Sequence, residues 1–353
     1  MKIAILGDTH WGARKDSPVF YKHFETFYDG FFQHLEDEGI KVVVQVGDTF
    51  EARQRTNSLT LQEARRIYFD RAEGAEITTY ITVGNHDIYH RESVLVNTPR
   101  LLLSDYRYVE VIDKPTKVML DGGAPNPKFI DLIPWICENN EAEIVEFMKT
   151  SKADYCAGHF EIAGFAMYRG MEANDGLTMD LFSRYDHTWS GHYHSRSTKE
   201  NITYVGTPYE MTWQDYGDPK GFHVFNTDTG KLTFIQNMNP IFIRLVYDEE
   251  TRQLVAPEGL TDRFVRVVVT NCTNRLALEA YLQSIREQKP YDLKVDEEGF
   301  SVTGIEDEDG VVIENTMVVT EKYIDASDTD VDKTALKKFM HELYIEAMNA
   351  EEA

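Results

Sequence analysis

No apolar run in the 353-residue sequence approaches the roughly 20 residues needed to span a bilayer. The first residues, MKIAILGDTH, turn polar after a short apolar stretch, which predicts a buried first strand and not a signal peptide. Cysteine is scarce, and the spacing of Cys137, Cys156 and Cys272 matches no disulfide or metal pattern. We therefore expect no membrane association and a reducing cytoplasm, with the cysteines as reduced core residues.

Basic residues are the minority among the charged side chains. Lysine and arginine number 36 against 60 aspartates and glutamates, so the formal net charge is −24 at pH 7. A protein that grips nucleic acid alone usually presents a basic face. If the substrate is nucleic acid, this balance leaves two explanations: some of the acid binds metal, and a partner supplies much of the grip. The alternative is solvated surface without bearing on the substrate, which is the reading for the cluster 306–309.

The apolar pattern of the first 240 residues predicts a layered α/β core. Buried strands at 2–6, 42–46 and 77–83 alternate with two helices, the second at 58–72. Strand–helix alternation of this kind implies mainly parallel pairing. The first helix is amphipathic, with apolar residues at steps of three and four: Phe20, Phe24, Phe27, Phe31 and Leu35.

The chain of 353 residues is too long for one ordinary core, which predicts a large domain with one or two smaller pieces. We predict a main domain at 1–240, a small α/β module at 241–325 and a C-terminal helical segment at 326–353. An exposed apolar helix face is expected to need a partner, although folding back onto its own domain is the alternative. The apolar stripe of that helix consists of Leu336, Phe339, Met340, Leu343, Tyr344 and Ala347.

Side chains able to bind metal recur directly after predicted strands, and each group begins with glycine. The five groups are Gly7-Asp8-Thr9-His10, Gly47-Asp48-Thr49-Phe50, Gly84-Asn85-His86-Asp87, Gly158-His159 and Gly191-His192-Tyr193-His194. Open α/β sheets bind their ligands at the ends of the strands, and glycine lets the backbone turn sharply and approach a ligand closely. We therefore expect these side chains to meet at one edge of the sheet.

Seven of these side chains offer oxygen or nitrogen donors: Asp8, His10, Asp48, Asn85, His159, His192 and His194. Seven ligands are too many for one tetrahedral zinc and suit two adjacent cations that share a carboxylate. The mixture of donors favours manganese, with magnesium as the alternative. Two ions about 3.5–4 Å apart can activate a water and clamp the oxygens of a phosphate. A single group would indicate only a turn or a hydrogen-bonded histidine, but five in order favour the metal site.

The series of motifs resembles the calcineurin-like metallophosphoesterase superfamily. Within it, the chain is similar to the SbcD-type nuclease subunits of DNA repair complexes, and most of all to the version in T-even-type bacteriophages that works with an SMC-like ATPase. The likeness covers almost the whole chain and is weakest over 241–325. Beyond the metal motifs, it is carried by Val83-Gly84-Asn85-His86-Asp87, Asp131-Leu132-Ile133-Pro134-Trp135, Trp189-Ser190-Gly191-His192 and Gly206-Thr207-Pro208.

The resemblance implies a role for each donor. One ion would be held by Asp8, His10 and His194, the other by Asn85, His159 and His192, with Asp48 as the bridge. His86 would lie over the scissile phosphate, where it stabilises charge or protonates the leaving oxygen. Asp87 would orient His86 through the other ring nitrogen. A simple hydrogen-bond brace is the alternative role for His86.

The resemblance also implies the architecture and the partners. We expect a two-sheet sandwich flanked by helices, a capping domain at 241–325 that helps to select DNA, and a C-terminal helix that docks on the ATPase. A homodimer within a heterotetramer would form through helices beside the metal site, including 58–72. Arg53 and Arg55 are candidate phosphate contacts, or solvated surface. The stretch 50–55 lacks the proline-containing pattern of many cellular relatives, which puts DNA contacts there in doubt.

The function implied is that of a metal-dependent DNA exo/endonuclease subunit that acts in DNA-end processing, recombination and repair, in the host cytoplasm if a phage encodes it. A stand-alone phosphatase or phosphodiesterase of the same superfamily is the alternative. Protein phosphatases of this superfamily usually carry Gly-Asp-x-x-Asp-Arg-Gly and Asn-His-Glu, whereas this chain has Gly47-Asp48-Thr49-Phe50 and Asn85-His86-Asp87. A non-catalytic scaffold for DNA ends would lack a ligand or His86, and neither is missing.

Overall fold

The computed structural model describes residues 1–120, 122–123, 125–168, 171–173, 175–250, 255–297, 324, 333–334, 336–337 and 339–340. The chain divides into two compact units, Met1–Ile243 and Arg244–Ala353. The division falls inside the strand Phe242–Asp248, where the chain leaves the first unit. Among the residues described, no helix is both long and apolar enough to cross a membrane.

Short strands alternate with helices along the first unit. Its strands are β1 (Lys2–Leu6), β2 (Val42–Gln45), β3 (Thr78–Thr82), β4 (Ile88–His90), β5 (Ser93–Asn97), β6 (Val109–Ile112), β7 (Thr116–Met119), β8 (Phe129–Ile133), β9 (Tyr155–His159), β10 (Ala166–Tyr168), β11 (Met171–Glu172), β12 (His187–Gly191), β13 (Ser197–Lys199), β14 (Ile202–Tyr204), β15 (Gly221–Asn226) and β16 (Lys231–Gln236). Its α-helices are α1 (Ala13–Asp16), α2 (Pro18–Asp37), α3 (Ser58–Ala64), α4 (Asp70–Gly74), α5 (Thr98–Leu103) and α6 (Glu141–Thr150). Single 3₁₀ turns lie at Met179–Phe182 and Trp213–Asp215.

Two six-stranded sheets form the first unit. The first sheet has the order β16-β15-β1-β2-β3-β6, and the four strands from β1 to β6 run parallel to one another. The second sheet has the order β13-β14-β12-β9-β8-β7, with β14, β12, β9 and β8 parallel. The outer strands β16, β15, β13 and β7 pair antiparallel to their neighbours. The carboxyl ends of β1, β2 and β3 therefore share one edge of the first sheet.

The core lies between the two sheets. Ile5 and Val44 of the first sheet belong to one buried cluster with Leu132, Ala157 and Trp189 of the second. Residues one step away along β1, such as Leu6, face the opposite side, because successive side chains in a strand point to opposite faces. The structure thus confirms the predicted α/β class and the two-sheet sandwich.

Helix α2 covers the outer face of the first sheet with aromatic side chains. Phe24 stacks on Tyr209 with ring centroids 3.8 Å apart, and Phe31 meets Phe222 of β15 edge-on at 4.8 Å. Such pairs add roughly 0.5–1.5 kcal/mol each beyond the apolar area that they bury. The helical periodicity seen in the sequence thus corresponds to the face of α2 that packs on the sheet.

The predicted helix 58–72 is present but interrupted. Helix α3 begins after Asn57, whose side chain accepts a hydrogen bond from the Leu59 N–H as an N-cap. A π-helical turn, Arg65–Phe69, then joins α3 to α4. Ile67, Tyr68 and Phe69 are all buried, and a regular α-helix does not bring three consecutive side chains to one face. The wider π-helical turn allows all three side chains to be buried. Helical periodicity averaged over the whole segment does not reveal such a turn.

The second unit contains a three-stranded sheet and a helix. Its strands β17 (Phe242–Asp248), β18 (Phe264–Asn271) and β19 (Asp292–Glu297) form a sheet in chain order, with β18 parallel to β19. Helix α7 (Arg275–Glu287) connects β18 to β19, and Asn274 caps it. The described residues between 333 and 340 are helical. The three cysteines are free; Cys137 and Cys156 are buried, whereas Cys272 is only partly covered.

Two glycines of the α2 region offer a matched test of the backbone. Gly30 lies in the middle of α2 and Gly39 follows its end, and an added Cβ would meet no atom within 4 Å at either position. Only Gly39 has a positive φ, +64°. Gly30→Ala should raise the free energy of unfolding by about 0.5–1 kcal/mol. Gly39→Ala should lower it by about 1–2 kcal/mol, because a Cβ is strained in the left-handed region.

Urea unfolding of both variants, followed by far-ultraviolet circular dichroism, measures the two changes. Equal shifts of the same sign would contradict the assignment of these backbone conformations.

Candidate metal centre

The structure brings all seven predicted donors to one edge of the sandwich. They follow or end the strands β1, β2, β3, β9 and β12: Asp8 and His10, Asp48, Asn85, His159, and His192 with His194. The first three strands belong to one sheet and the last two to the other. The site therefore lies where the carboxyl ends of both sheets meet, the position at which open α/β sheets bind ligands.

One group of donors surrounds His159. Its Nε2 lies 3.1 Å from Asp48 Oδ2 and 2.9 Å from Asn85 Oδ1. The same Asn85 oxygen lies 3.1 Å from Nδ1 of His192. Donor atoms of Asp48, His159 and His192 all lie within 4.8 Å of one another, which is close enough for a single cation to bind all three.

A second group consists of Asp8, His10 and His194, whose donor atoms also lie within 4.8 Å of one another. The rings of His10 and His194 have centroids 5.0 Å apart. Asp48 adjoins this group as well as the first, since its Oδ2 lies 3.9 Å from Nε2 of His10. The carboxylate of Asp48 is thus the donor that both groups share.

Three buried atoms of the second group have no hydrogen-bond partner among the residues described. They are Oδ1 of Asp8 and both ring nitrogens of His10, of which Nδ1 faces the Glu51 carboxylate. A buried polar atom without a partner costs about 1–3 kcal/mol, and native proteins rarely tolerate it. A cation satisfies a carboxylate oxygen and an imidazole nitrogen together. The residues present therefore fit a divalent metal with oxygen and nitrogen ligands.

Backbone contacts fix the orientation of the donors. Nδ1 of His159 lies 2.8 Å from the Val46 carbonyl, which can only accept, so this nitrogen carries the proton and Nε2 is left for a metal. The backbone N–H of His192 donates to Asp8 Oδ2 at 2.9 Å, and that of His86 donates to Asp48 Oδ1 at 2.8 Å. Each carboxylate thus keeps one oxygen on the backbone and offers the other to the centre.

Glycine leaves the space that the donors of neighbouring loops occupy. A Cβ on Gly84 would lie 2.2 Å from Asp48 Oδ1, and one on Gly191 would lie 2.2 Å from Asp8 Oδ1. A Cβ on Gly47, where φ is +96°, would lie 2.3 Å from Nδ1 of His159. Asp48 itself has a φ of +46°, an uncommon value for a residue with a side chain. Strain of this kind is typical of ligand sites.

Burial and mutual charge shift the pKa values of the donors. Burial raises the pKa of Asp8 to about 6. Burial alone would lower the pKa of His10, but the carboxylate of Glu51 outweighs it and raises the pKa to about 10. Burial and the charge of His10 lower the pKa of His194 to about 3. Without a cation, the imidazole of His10 therefore carries a positive charge, whereas that of His194 stays neutral.

The structure corrects the expected role of Asp87. Its carboxylate accepts hydrogen bonds from the backbone N–H groups of Gly84 and Phe50 at 3.0 Å and of Thr49 at 3.2 Å. The ring of His86 is held instead by the Glu51 carbonyl, 2.7 Å from Nδ1. The prediction that Asp87 orients the His86 ring is wrong, because the loop after β2 crosses Asp87 and supplies donors to its carboxylate.

Glu51 is a site residue that the sequence reasoning missed. Its Oε2 lies 2.6 Å from Nδ1 of His10, a close ion contact and not an aligned hydrogen bond. Burial alone would raise the pKa of Glu51, but the charge of His10 lowers it to about 2. Glu51 thus touches His10, one of the seven candidate donors, with its side chain and His86 with its carbonyl. It lies three positions after Asp48, and this spacing is the only sequence signal that could have indicated it.

Arg53 and Arg55, which were predicted to bind phosphate, follow Glu51 in the chain. The described residues show no interaction that assigns either arginine a role. Arg53 is partly covered and Arg55 is exposed, in the loop between β2 and α3. Within the described ranges, neither guanidinium takes part in a hydrogen bond or an ion pair. Their contact with DNA stays a prediction.

The predicted partner-binding stripe is described only in part. Leu336, Phe339 and Met340 lie in helical segments, and Phe339 is 49% exposed. Leu343 and Tyr344 lie outside the described residues.

Comparison with known proteins agrees with this site. The family model of calcineurin-like phosphoesterases matches residues 1–196, which include all seven donors. Exonuclease subunit 1 of Enterobacteria phage T4 is 36% identical over 357 residues, 98% of this chain and 99% of that protein.

Two solved structures show weaker likenesses. An archaeal phosphodiesterase matches with a TM-score of 0.35 and 13% sequence identity. The match covers 67% of this chain and 100% of the phosphodiesterase chain. The anchor protein of the inner membrane complex of Plasmodium matches with a TM-score of 0.40 and 11% sequence identity. The match covers 86% of this chain and 99% of the anchor protein chain.

The family match spans more than half of the chain, and the seven donors lie where the two sheets meet. The chain belongs to the calcineurin-like phosphoesterase family.

Proposed function

We propose that the chain is the nuclease subunit of a DNA-processing complex and hydrolyses phosphodiester bonds with two divalent cations. Manganese is the favoured cation, with magnesium as the alternative. The observation that carries this proposal is the convergence of seven oxygen and nitrogen donors from five loops. A centre of this kind suits phosphate esters. The relative of nearly equal length from phage T4 is named an exonuclease subunit, which supports DNA as the substrate and a partner protein.

Each cation has a proposed set of ligands in this chain. Asp8, His10 and His194 would hold one, Asn85, His159 and His192 the other, and Asp48 would contact both. The two groups of close donor atoms support this division, since each already has the spacing of a ligand set. When bound, the two ions supply Lewis-acid activation of a water and neutralise charge on the phosphate.

His86 has the position of a group that moves a proton at the substrate. The Glu51 carbonyl can only accept, so Nδ1 of His86 carries its proton and Nε2 is free to act. As the water oxygen bonds to phosphorus and the bond to the leaving oxygen breaks, a protonated Nε2 gives its proton to that oxygen. The backbone N–H of His86 donates to Asp48, which keeps the ring beside the proposed centre.

The second unit and the last helix belong to the proposed assembly. The module after residue 240 would act as a capping domain that helps to select DNA. The apolar stripe of the C-terminal helix would dock on an SMC-like ATPase, and the 49% exposure of Phe339 is consistent with an apolar surface offered to a partner. A homodimer through helices beside the metal site would complete a heterotetramer.

With manganese, the protein should release nucleotides from linear duplex DNA, and a chelator should stop the reaction. A partner ATPase should raise the rate. The measurement follows DNA by gel and, in parallel, bis(p-nitrophenyl) phosphate by absorbance. Cleavage of the small diester without any cleavage of DNA, even with the ATPase present, would favour a stand-alone phosphodiesterase.

His86→Ala should lower kcat on duplex DNA by about 10²–10⁴-fold, the usual contribution of a general acid. Manganese binding, measured by titration calorimetry, should be unchanged, because His86 is not among the proposed ligands. His90→Ala is the matched control, since His90 is exposed in the neighbouring strand β4. Full activity of the His86 variant would refute the assigned role.

A double change, Leu336→Asp with Phe339→Asp, should abolish co-purification with an SMC-like ATPase, because two charges would be placed on the apolar stripe. Hydrolysis of bis(p-nitrophenyl) phosphate should stay at the rate of the unaltered chain. Thr334→Asp adds a charge at an exposed position of the same helical segment and should leave co-purification intact. Retained association of the double variant would assign the docking surface elsewhere.

A further inference from the structure

A buried cluster of charges lies directly behind one of the metal-binding histidines. Lys220 is only 4% exposed, and its Nζ lies 2.7 Å from Asp215 Oδ1 and 2.9 Å from Asp218 Oδ2. The same ammonium donates to the backbone carbonyl of His194 at 2.9 Å. Lys220 lies outside the sequence motifs that supply the seven candidate donors.

The ammonium of Lys220 is fully satisfied in this position. It has three N–H bonds, and three acceptors lie within hydrogen-bond distance: two carboxylates and one carbonyl. An ammonium withdrawn from water is costly unless it is paired and hydrogen-bonded. A purely structural ion pair would need only the carboxylates. The third bond, to His194, ties this buried charge to a proposed metal ligand.

The carboxylate of Asp215 makes the cluster rigid. Its Oδ1 accepts from Lys220, while its Oδ2 accepts from the backbone N–H groups of Met211 and Thr212, both at 2.9 Å. The loop before β15 is therefore fastened to the same charge that holds His194. Movement of His194 would have to break bonds on both sides of Lys220.

The carbonyl of His194 is held from two directions. It accepts from Lys220 Nζ at 2.9 Å and from the Thr207 N–H at 3.0 Å, so both lone pairs of the oxygen are occupied. A fixed carbonyl fixes the plane of the peptide and with it the direction of the His194 side chain. That side chain meets Asp8 and His10.

The same segment also braces the two other members of this donor group. Tyr209, two residues after Thr207, donates its hydroxyl to the Thr9 carbonyl at 2.6 Å. Thr9 stands between Asp8 and His10 in the chain. The segment 207–220 thus contacts the backbone on both sides of the donor group, through Tyr209 on one side and Lys220 on the other.

We propose that Lys220 is a positioning residue for the metal site of Asp8, His10 and His194, which it serves by holding the His194 carbonyl. The inference rests on the proposed two-metal centre and adds to it a group that touches neither metal nor substrate. Partners that orient a metal ligand typically contribute a factor of about 10–100 to metal affinity.

Lys220→Met removes the three donors and keeps an unbranched side chain. Lys41→Met is the matched control, because the ammonium of Lys41 also donates to a backbone carbonyl, that of Ala75 at 2.8 Å, but on the exposed surface. Manganese is titrated into each metal-free protein, and the free ion and the spin-coupled pair are followed by electron paramagnetic resonance. Thermal unfolding of each metal-free variant provides the control for folding.

The unaltered chain and the Lys41 variant should bind two manganese ions and show the signal of a coupled pair. The Lys220 variant should bind one of them about 10–100-fold more weakly and show an isolated ion. A folded Lys220→Met protein with two ions at unaltered affinity would overturn the inference while leaving the proposed function intact. An unaltered chain that binds no manganese would instead overturn the proposed function.

Lys220→Arg covers the case in which the methionine variant does not fold. Arginine keeps a positive charge between the two aspartates, but its planar fork cannot meet three acceptors as an ammonium does. It should unfold near the temperature of the unaltered chain and still bind one manganese more weakly. Unaltered affinity in this variant, or a failure of both variants to fold, would make Lys220 a structural residue only.

Discussion

The buried carboxylates of Asp8 and Asp48 impose the constraint on which the rest of this structure depends. Both are almost fully removed from water, and buried charges are tolerated only when they are compensated. In the chain alone, the compensation comes from protons. Burial alone would lower the pKa of His159, but the charge of Asp48 outweighs it and raises the pKa to about 9. A bound cation would take over this role and release those protons, which couples metal affinity to pH.

The sandwich supplies what such a centre requires, because strand ends are rigid and the loops beyond them can be crowded. Two sheets contribute donors to one site, so that neither sheet alone contains a complete set. Glycines at the strand ends leave room for the donors of other loops, as the contact expected between a Gly84 Cβ and Asp48 shows. The positive φ of Asp48 is local strain that the surrounding hydrogen bonds maintain.

The layered fold and the convergence of the seven candidate donors could be predicted because each of these side chains stands next to a strand that is apolar in the sequence. The position of Asp87 after a strand could be predicted in the same way. Its hydrogen-bond partners could not, since they are backbone N–H groups of the loop after β2 and depend on how that loop crosses Asp87. Glu51 and Lys220 carry no local pattern. Lys220 reaches a carbonyl 26 positions earlier, and the loop geometry that joins them is absent from any periodicity. The π turn at Arg65–Phe69 likewise results from packing and not from local preference.

The net charge of −24 bears on how such a centre would meet DNA. Two divalent cations would offset only a small part of the excess, so metal alone cannot give the protein the positive field that nucleic acid binding needs. Local cations such as Arg53 and Arg55 could align a strand at the site but leave most of the repulsion in place. In the proposed complex, a second protein would supply most of the grip on DNA. The charge of the chain and its proposed role as a subunit therefore have one physical explanation.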